Sequence, residues 1–122
     1  MRILLAEDDL NISKIARLAL EKIGGHQVEW APDGEVALEK ALTGDYDLIL
    51  LDEMMPHMNG LKVCELYKEQ CPHPKPVIFL SAKSQESDIN AFKKFGLGHI
   101  PKPFDPMTLN QSIQHLMESL AA

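Results

Sequence analysis

The chain has 122 residues, of which 45% are hydrophobic and 25% are charged, as in an ordinary globular domain. Its formal net charge of −6 argues against nucleic-acid binding, because neutralisation of phosphates supplies most of that affinity. No apolar run is long enough to span a bilayer, and the apolar start is too short for a signal peptide. Cys64 and Cys71 would be too far apart on one helix to form a disulfide. Free thiols suit a reducing compartment, so we expect a cytoplasmic protein.

Short apolar runs typical of buried strands alternate with segments of helical spacing. The predicted strands cover residues 3–6, 28–30, 48–51 and 77–80, with a weaker one at 99–100. Strands that are nearly all apolar and alternate with helices predict a parallel sheet covered on both faces. The sequence has no internal repeat or linker, so we interpret residues 1–122 as one domain.

Five helices are predicted, one after each strand. The first has apolar residues at steps of three and four, which we expect to face inward: Ile12, Ile15, Ala16, Ala19, Leu20 and Ile23. We expect Asp33 to cap the second helix, Gly60 to lead into the third and Ser84 to cap the fourth. Asp105, followed by proline, is predicted to cap the fifth. The inward stripe of that last helix is predicted to be Leu109, Ile113, Leu116, Met117 and Leu120.

Polar side chains stand at the ends of four predicted strands. They are Glu7-Asp8-Asp9, Asp52, Ser81 and Lys102. Each has an ordinary explanation when taken alone, as a helix start, a turn residue or a solvated lysine. The ends of parallel strands share one edge of a sheet, however, so we expect these groups to meet in one crevice. Two carboxylates 4 Å apart repel by about 4 kcal/mol at an effective dielectric of 20, which favours a bound cation. All-oxygen ligands favour Mg²⁺ or Mn²⁺.

Four stretches occur in a characteristic order and spacing. They are residues 3–9 (ILLAEDD), 51–60 (LDEMMPHMNG), 80–83 (LSAK) and 101–104 (PKPF). Together they strongly resemble the receiver domain of two-component response regulators, including the chemotaxis regulators, over essentially the whole chain. The resemblance implies a flavodoxin-like, doubly wound (βα)5 fold whose parallel strands lie in the order 2-1-3-4-5.

The resemblance also implies a magnesium site. Asp8 would bind the ion directly and Glu7 mainly through water, while Asp52 and the backbone carbonyl of Met54 would be further ligands. Asp9 is adjacent to these acids but is not part of the family's usual acidic pair.

In such a domain Asp52 would be the phosphoacceptor. The donor would be a phosphohistidine on a sensor histidine kinase or on a histidine phosphotransfer protein. Lys102 would contact the acyl phosphate, and Ser81 would turn inward to bond it. A receiver assists its own phosphotransfer and dephosphorylation, so we expect a signalling phosphoacceptor rather than an enzyme.

The resemblance places the output on the face formed by the fourth helix, fifth strand and fifth helix, which would regulate a downstream protein or an effector domain. Phosphorylation-dependent dimerisation is a further possibility. In the family, position 99 usually holds a tyrosine or phenylalanine that swings inward on phosphorylation. Here it is His99, which either keeps that switch role or is an exposed histidine without one.

Three other interpretations compete with a working receiver. A degenerate receiver would have lost part of the acidic, hydroxyl and lysine set, which is intact here. An aspartyl-phosphate hydrolase usually has a second aspartate two residues after the nucleophile, where this chain has Met54. A flavin-binding domain would need a Ser/Thr/Gly-rich loop where Glu7-Asp8-Asp9 would repel phosphate. Glu53 could slow attack on an anionic donor, but we expect it to face solvent.

Overall fold

The computed structural model describes residues 1–83 and 85–120, and its five strands form one parallel sheet between two layers of helices. The elements alternate along the chain in this order: β1 Arg2–Ala6, α1 Leu10–Leu18, β2 Gln27–Ala31, α2 Gly34–Thr43, β3 Leu48–Asp52, α3 Gly60–Gln70, β4 Val77–Ser81, α4 Glu86–Phe95, β5 Gly98–Pro101 and α5 Leu109–Glu118. One π-helical turn, Ala19–Ile23, continues α1. The sheet order β2-β1-β3-β4-β5 confirms the predicted flavodoxin-like fold.

The order of the strands reverses at β1, which lies between β2 and β3. The chain therefore leaves β1 and β3 toward opposite sides, which opens a crevice at their carboxyl ends. The register pairs Ala6 with Leu51, Asp52 with Leu80 and Ser81 with Pro101. The ends of β1, β3, β4 and β5 consequently lie side by side at this edge.

The core has two layers, one on each face of the sheet, because successive side chains of a strand point to opposite faces. One layer packs under α2, α3 and α4 and includes Leu4, Leu51 and Phe79. The other packs under α1 and α5 and includes Leu5 and Leu50. Each such buried side chain contributes about 1.5–3 kcal/mol, so the central strands are a rigid base for residues at their ends.

The first-helix prediction was partly wrong. Ile15 and Ile23 are 47% and 53% exposed, whereas Ser13 is fully buried. Ser13 can be buried because its hydroxyl donates to the carbonyl of Leu10 at 2.8 Å. The buried stripe thus runs through Ser13 and the alanines and leaves Ile15 at its margin. The wider π-helical turn then changes the angular phase of the helix and leaves Ile23 exposed.

The fifth helix was predicted to start too early. It begins at Leu109 after Thr108, whereas Asp105 forms a turn in front of it, accepting a hydrogen bond from the Met107 amide at 2.9 Å. Leu120 lies beyond the end of the helix and is 55% exposed, so its predicted inward position was also wrong.

Several local predictions were confirmed. Asp33 caps α2 by accepting from the Val36 amide at 2.9 Å, and α3 begins at Gly60. Both cysteines are free, as expected. The structure also has a cis peptide bond between Lys102 and Pro103. The predicted cap Ser84 lies outside the described residues. Within the described part of the chain, every helix is too short or too polar to cross a bilayer.

Candidate functional site

The ammonium group of Lys102 bridges two carboxylates at the carboxyl edge of the sheet. Its Nζ lies 2.8 Å from Glu7 Oε1 and 3.1 Å from Asp52 Oδ1. Glu7 follows β1, Asp52 ends β3 and Lys102 follows β5, so the side chains come from three different strand ends. Lys102 itself is anchored because its amide donates to the carbonyl of Ser81 at 2.9 Å. The structure therefore brings together the acids and the lysine that the sequence placed at one edge.

Three carboxylates converge in this crevice. Oxygens of Glu7, Asp8 and Asp52 all lie within 4.8 Å of one another. Glu7 is fully buried and Asp52 is 3% exposed, whereas Asp8 faces the opening. Glu7 Oε2 is buried and has no hydrogen-bond partner among residues 1–83 and 85–120. Three carboxylates with one ammonium leave a net negative charge and an unpartnered oxygen, which fits an oxygen-liganded divalent cation.

Burial and the neighbouring acid together make Asp52 an unusually weak acid. Desolvation, followed by the hydrogen bond and charge of Glu7, raises its pKa to about 6, although Lys102 acts in the opposite direction. Burial alone would lower the pKa of Lys102, but its contacts with Glu7 and Asp52 outweigh burial and raise it. Lys102 is therefore charged at neutral pH, and Asp52 is mostly ionised above pH 7.

The third acid of the first motif has a structural role. Asp9 caps α1, its Oδ1 accepting hydrogen bonds from the amides of Asn11 at 2.8 Å and Ile12 at 3.0 Å. These bonds satisfy amides that would otherwise lack partners at the start of the helix. Asp9 is thus committed to the helix, while Glu7 and Asp8 point to the crevice.

A second charge pair lies beside the first, and the sequence prediction missed it. Glu53 was expected to face solvent, but it is 2% exposed and its Oε2 lies 3.0 Å from Lys83 Nζ. Ser81 is also buried, and its Oγ accepts from the Lys83 amide at 3.0 Å. The expectation for Glu53 was wrong because its partner follows the next strand and is invisible to local pattern analysis. The lysine at the end of the third motif, residues 80–83, was the only available signal.

Comparison with known proteins decides the family. Residues 3–114 match the family model described as the response regulator receiver domain. The chain belongs to this family. It is 40% identical over 105 residues to the response regulator ArlR of Staphylococcus saprophyticus, covering 85% of this chain and 46% of that protein. The match to the transcriptional regulatory protein ResD of Bacillus subtilis is 33% identical over 117 residues, covering 95% and 48%.

Solved structures agree with this assignment. The receiver domain of a Francisella response regulator matches with a TM-score of 0.80 and 30% identity, covering 98% of each chain. The chain spans about half the length of the curated relatives it matches. The family model stops at residue 114, and the boundaries 1–122 of the receiver domain stay a prediction.

The histidine at the family's usual aromatic position is packed against α4 in this receiver domain. The centre of the His99 ring lies 5.2 Å from that of Phe92, and His99 is half-buried. Burial, and secondarily the charge of Lys93, lowers the pKa of His99 below its usual value. His99 is therefore neither fully exposed nor unpacked in this receiver. A switch role for His99 stays a prediction.

A tryptophan that sequence analysis did not single out touches the acidic motif. Trp30 Nε1 donates to the backbone carbonyl of Glu7 at 2.8 Å, and the Arg17 guanidinium lies 5.0 Å from the centre of the indole ring. Trp30 occupies this place because β2 pairs in parallel with β1, with Trp30 in register with Leu5. A large amphipathic residue near the end of a strand was the signal that could have indicated it.

Proposed function

We propose that this receiver domain takes a phosphoryl group onto Asp52 from a phosphohistidine of a sensor histidine kinase or histidine phosphotransfer protein. The observation that carries the proposal is the bridge from Lys102 to both Asp52 and Glu7 inside a converging set of carboxylates. An ordinary surface ion pair would neither be this buried nor leave excess negative charge. The domain would be a signalling phosphoacceptor, assisting its own phosphorylation and dephosphorylation, rather than an enzyme.

The proposed step is a displacement at phosphorus. An ionised oxygen of Asp52 forms the new P–O bond while the P–N bond to the donor histidine breaks, and the electron pair returns to the imidazole. No general base is needed, because Asp52 is already mostly ionised above pH 7. Lys102 remains charged at the acceptor oxygen and offsets negative charge on the phosphoryl group.

Four groups would hold the divalent cation: the side chains of Glu7, Asp8 and Asp52 and the backbone carbonyl of Met54. Met54 is 65% exposed, and the role is assigned to its main-chain carbonyl because Mg²⁺ takes oxygen rather than thioether ligands. When bound, Mg²⁺ or Mn²⁺ supplies positive charge that stabilises phosphoryl oxygens during transfer. In the structure the Ser81 Oγ accepts a hydrogen bond from the Lys83 amide. Its hydroxyl hydrogen takes no part in that bond, and the side chain would rotate to donate it to the phosphoryl group.

The donor would dock on an apolar groove that continues from the crevice. The groove is lined by Ile12, Ile15, Ala82, Lys102, Pro103, Phe104 and Pro106. Lys102 thus contacts Asp52 and also faces the groove, so a protein seated there would bring its phosphohistidine next to the acceptor. The exposed Ile15 side chain gives such a partner an apolar anchor.

The face formed by α4, β5 and α5 would transmit the phosphorylation state of Asp52 to a partner protein or effector domain. His99 of β5 already packs on Phe92 of α4, so rotation of its ring would change the surface between these elements. Relatives of about twice this length include one named a transcriptional regulatory protein, which suits a linked effector domain or a separate partner protein. Phosphorylation-dependent dimerisation and a cytoplasmic location stay predictions.

Intact-mass measurement tests the proposed acceptor. The protein is incubated with acetyl phosphate and Mg²⁺, and again with excess chelator. We expect one phosphoryl adduct with Mg²⁺, much less with chelator, and none on Asp52→Asn. An adduct of equal yield on Asp52→Asn would reject Asp52 as the acceptor.

A further inference from the structure

The main chain of Glu7 is bound to β2 at both its amide and its carbonyl. The Glu7 amide donates to the carbonyl of Ala31 at 3.1 Å, which continues the β1–β2 pairing by one residue. The Glu7 carbonyl accepts a hydrogen bond from Trp30 Nε1 at 2.8 Å. This second bond comes from a side chain and satisfies a carbonyl that lies beyond the end of β1. The peptide that joins Glu7 to Asp8 is therefore fixed from the β2 side.

The Trp30 side chain is itself held by contacts with α1. Trp30 is half-buried, and the guanidinium of Arg17 lies 5.0 Å from the centre of its indole ring. A cation over the face of an indole is attracted by the ring. The Arg17 Nε also donates to the Ser13 carbonyl at 3.4 Å, within α1. The indole nitrogen is thus presented to Glu7 by a ring that α1 covers and β2 carries.

The direction of the Asp8 carboxylate depends on its main chain. Asp8 faces the opening of the crevice, and one of its oxygens lies within 4.8 Å of oxygens of Glu7 and Asp52. On its carboxyl side the chain is fixed because Asp9 caps α1. On its amino side the chain is fixed by the bond from Trp30. An exposed acid between two fixed neighbours has few orientations available, which suits a ligand of defined geometry.

Building on the proposed function and its cation site, we propose that Trp30 is a positioning residue that makes the crevice select Mg²⁺ over Ca²⁺. Mg²⁺ requires near-ideal octahedral geometry, with oxygens at about 2.0–2.1 Å, whereas Ca²⁺ accepts about six to eight oxygens at longer and more variable distances. A site that prefers Mg²⁺ therefore has to hold its carboxylates rigidly. The indole bond does this for Asp8, because it restricts the orientation of the Glu7–Asp8 peptide.

Trp30→Phe removes the N–H donor but keeps an aromatic ring for Arg17 to cover. The freed peptide should adopt several orientations, and the affinity for Mg²⁺ should fall about three- to tenfold, in proportion to the fraction that stays competent. The affinity for Ca²⁺ should fall by less than about twofold, since its ligand shell adapts. Phosphorylation by acetyl phosphate at saturating Mg²⁺ should stay within about twofold of the parent, because Trp30 does not touch the reacting groups.

Val28→Ala is the matched control. Val28 lies on the same strand, is half-buried and packs on the core under α1 and α5. Its truncation weakens the packing of β2 but leaves the bond from Trp30 to Glu7. Both cation affinities should stay within about twofold of the parent, since positioning of Asp8 is unchanged.

Competition for Mn²⁺ measures these affinities without the tryptophan and without phosphorylation. Free Mn²⁺ is detected by electron paramagnetic resonance, and Mg²⁺ or Ca²⁺ is titrated against the Mn²⁺ bound to each variant. An unchanged Mg²⁺ affinity for Trp30→Phe, or equal losses for Mg²⁺ and Ca²⁺, would overturn the role of Trp30. The same loss of Mg²⁺ affinity in Val28→Ala would overturn it too, because general loosening of β2 would then explain both variants.

A second way of deleting the donor covers the case in which Trp30→Phe fails to fold by circular dichroism. Trp30 is the only tryptophan of the chain, so biosynthetic replacement with benzothienylalanine puts sulfur in place of the N–H at this position alone. That protein should show the same selective loss of Mg²⁺ affinity, and its absence would reject the proposal. A parent that binds no Mn²⁺, or binds it as well as Asp8→Ala does, would instead reject the proposed cation site itself.

Discussion

Trp30 donates a hydrogen bond from its indole nitrogen to the backbone carbonyl of Glu7, over a distance of 2.8 Å. The bond joins the chain's single tryptophan to the peptide that precedes Asp8. Intrinsic tryptophan fluorescence should therefore report on the acidic crevice. We expect a saturable change in emission on titration with Mg²⁺, because ligation at the neighbouring carboxylates alters the field at the indole.

Asp8→Ala is the variant for this titration. Removing a proposed direct ligand should weaken the apparent Mg²⁺ affinity about tenfold or more. Asp9→Asn is the matched control, since it keeps a side-chain oxygen to cap α1. Equal Mg²⁺ affinities for Asp8→Ala and the parent would contradict the assignment of Asp8 as a ligand.

Asp52→Asn should stabilise the metal-free domain at neutral pH. Asp52 is buried beside Glu7, and its charge in the absence of a cation opposes folding. We expect a gain of about 1–3 kcal/mol in the free energy of unfolding at pH 7.5, measured by urea denaturation with chelator present. Asp45→Asn, at an exposed acid, is the control and should change stability by less than about 0.5 kcal/mol.

The pH dependence of that gain has a defined sign. The pKa of Asp52 is raised from 3.8 to about 6, so the unfolded chain loses this proton at lower pH than the folded one. The parent therefore loses stability relative to Asp52→Asn as pH rises from about 4 to about 6. Saturating Mg²⁺ should offset most or all of the advantage of Asp52→Asn, since a ligand at 100 times its dissociation constant stabilises the parent by about 2.7 kcal/mol. A difference that grows as pH falls would be inconsistent with this account.

The two free thiols should differ strongly in reactivity. Cys64 is fully buried, its Sγ donates to the carbonyl of Phe95 at 3.1 Å, and burial raises its pKa to about 11. Cys71 is half-buried at the end of α3. Iodoacetamide at pH 8 should label Cys71 alone in the folded protein, as read by peptide mapping, and both cysteines in urea. Rapid labelling of the native Cys71→Ser variant would show that α3 does not protect Cys64 as described.

Strand positions were predictable from the sequence because the central strands are buried on both faces and are therefore nearly continuous apolar runs. The runs ending at Ala6, Leu51 and Leu80 fixed the edge at which Glu7, Asp52 and Ser81 had to meet. Because the strands are parallel, their carboxyl ends all lie at the same edge of the sheet, and the residues that follow them meet there.

The errors arise where the outcome depends on contacts between distant segments. Helical spacing marked Ile15 as apolar, but spacing alone does not determine where the buried stripe ends. Glu53 is buried because Lys83 reaches it from beyond the next strand, and Trp30 meets Glu7 across the β1–β2 pair. The Asp105 side chain accepts a backbone amide bond, as a helix cap does, but in the structure this bond closes a turn in front of the helix. Turns and helix caps use the same bond from a side-chain oxygen to an amide, so the sequence does not distinguish them.

Ile15→Arg should separate the proposed donor groove from the phosphoryl chemistry. Ile15 is 47% exposed and lines the groove together with Lys102, but it is not one of the charged residues of the crevice. A charged side chain there should slow phosphotransfer from a cognate phosphohistidine protein about tenfold or more, because an apolar anchor is lost. Phosphorylation by acetyl phosphate should stay within about twofold of the parent, since a small donor needs no docking surface.

Ile23→Arg is the matched control for the groove. It introduces the same charge at a 53% exposed isoleucine of the π-helical turn that follows α1, and Ile23 is not among the groove's lining residues. Both donors should phosphorylate this variant at parental rates. A general electrostatic effect of added arginine would instead appear in both variants, and slow transfer from acetyl phosphate to Ile15→Arg alone would mean that the substitution disturbs Lys102. Only loss confined to Ile15→Arg and to the protein donor places the partner on the groove.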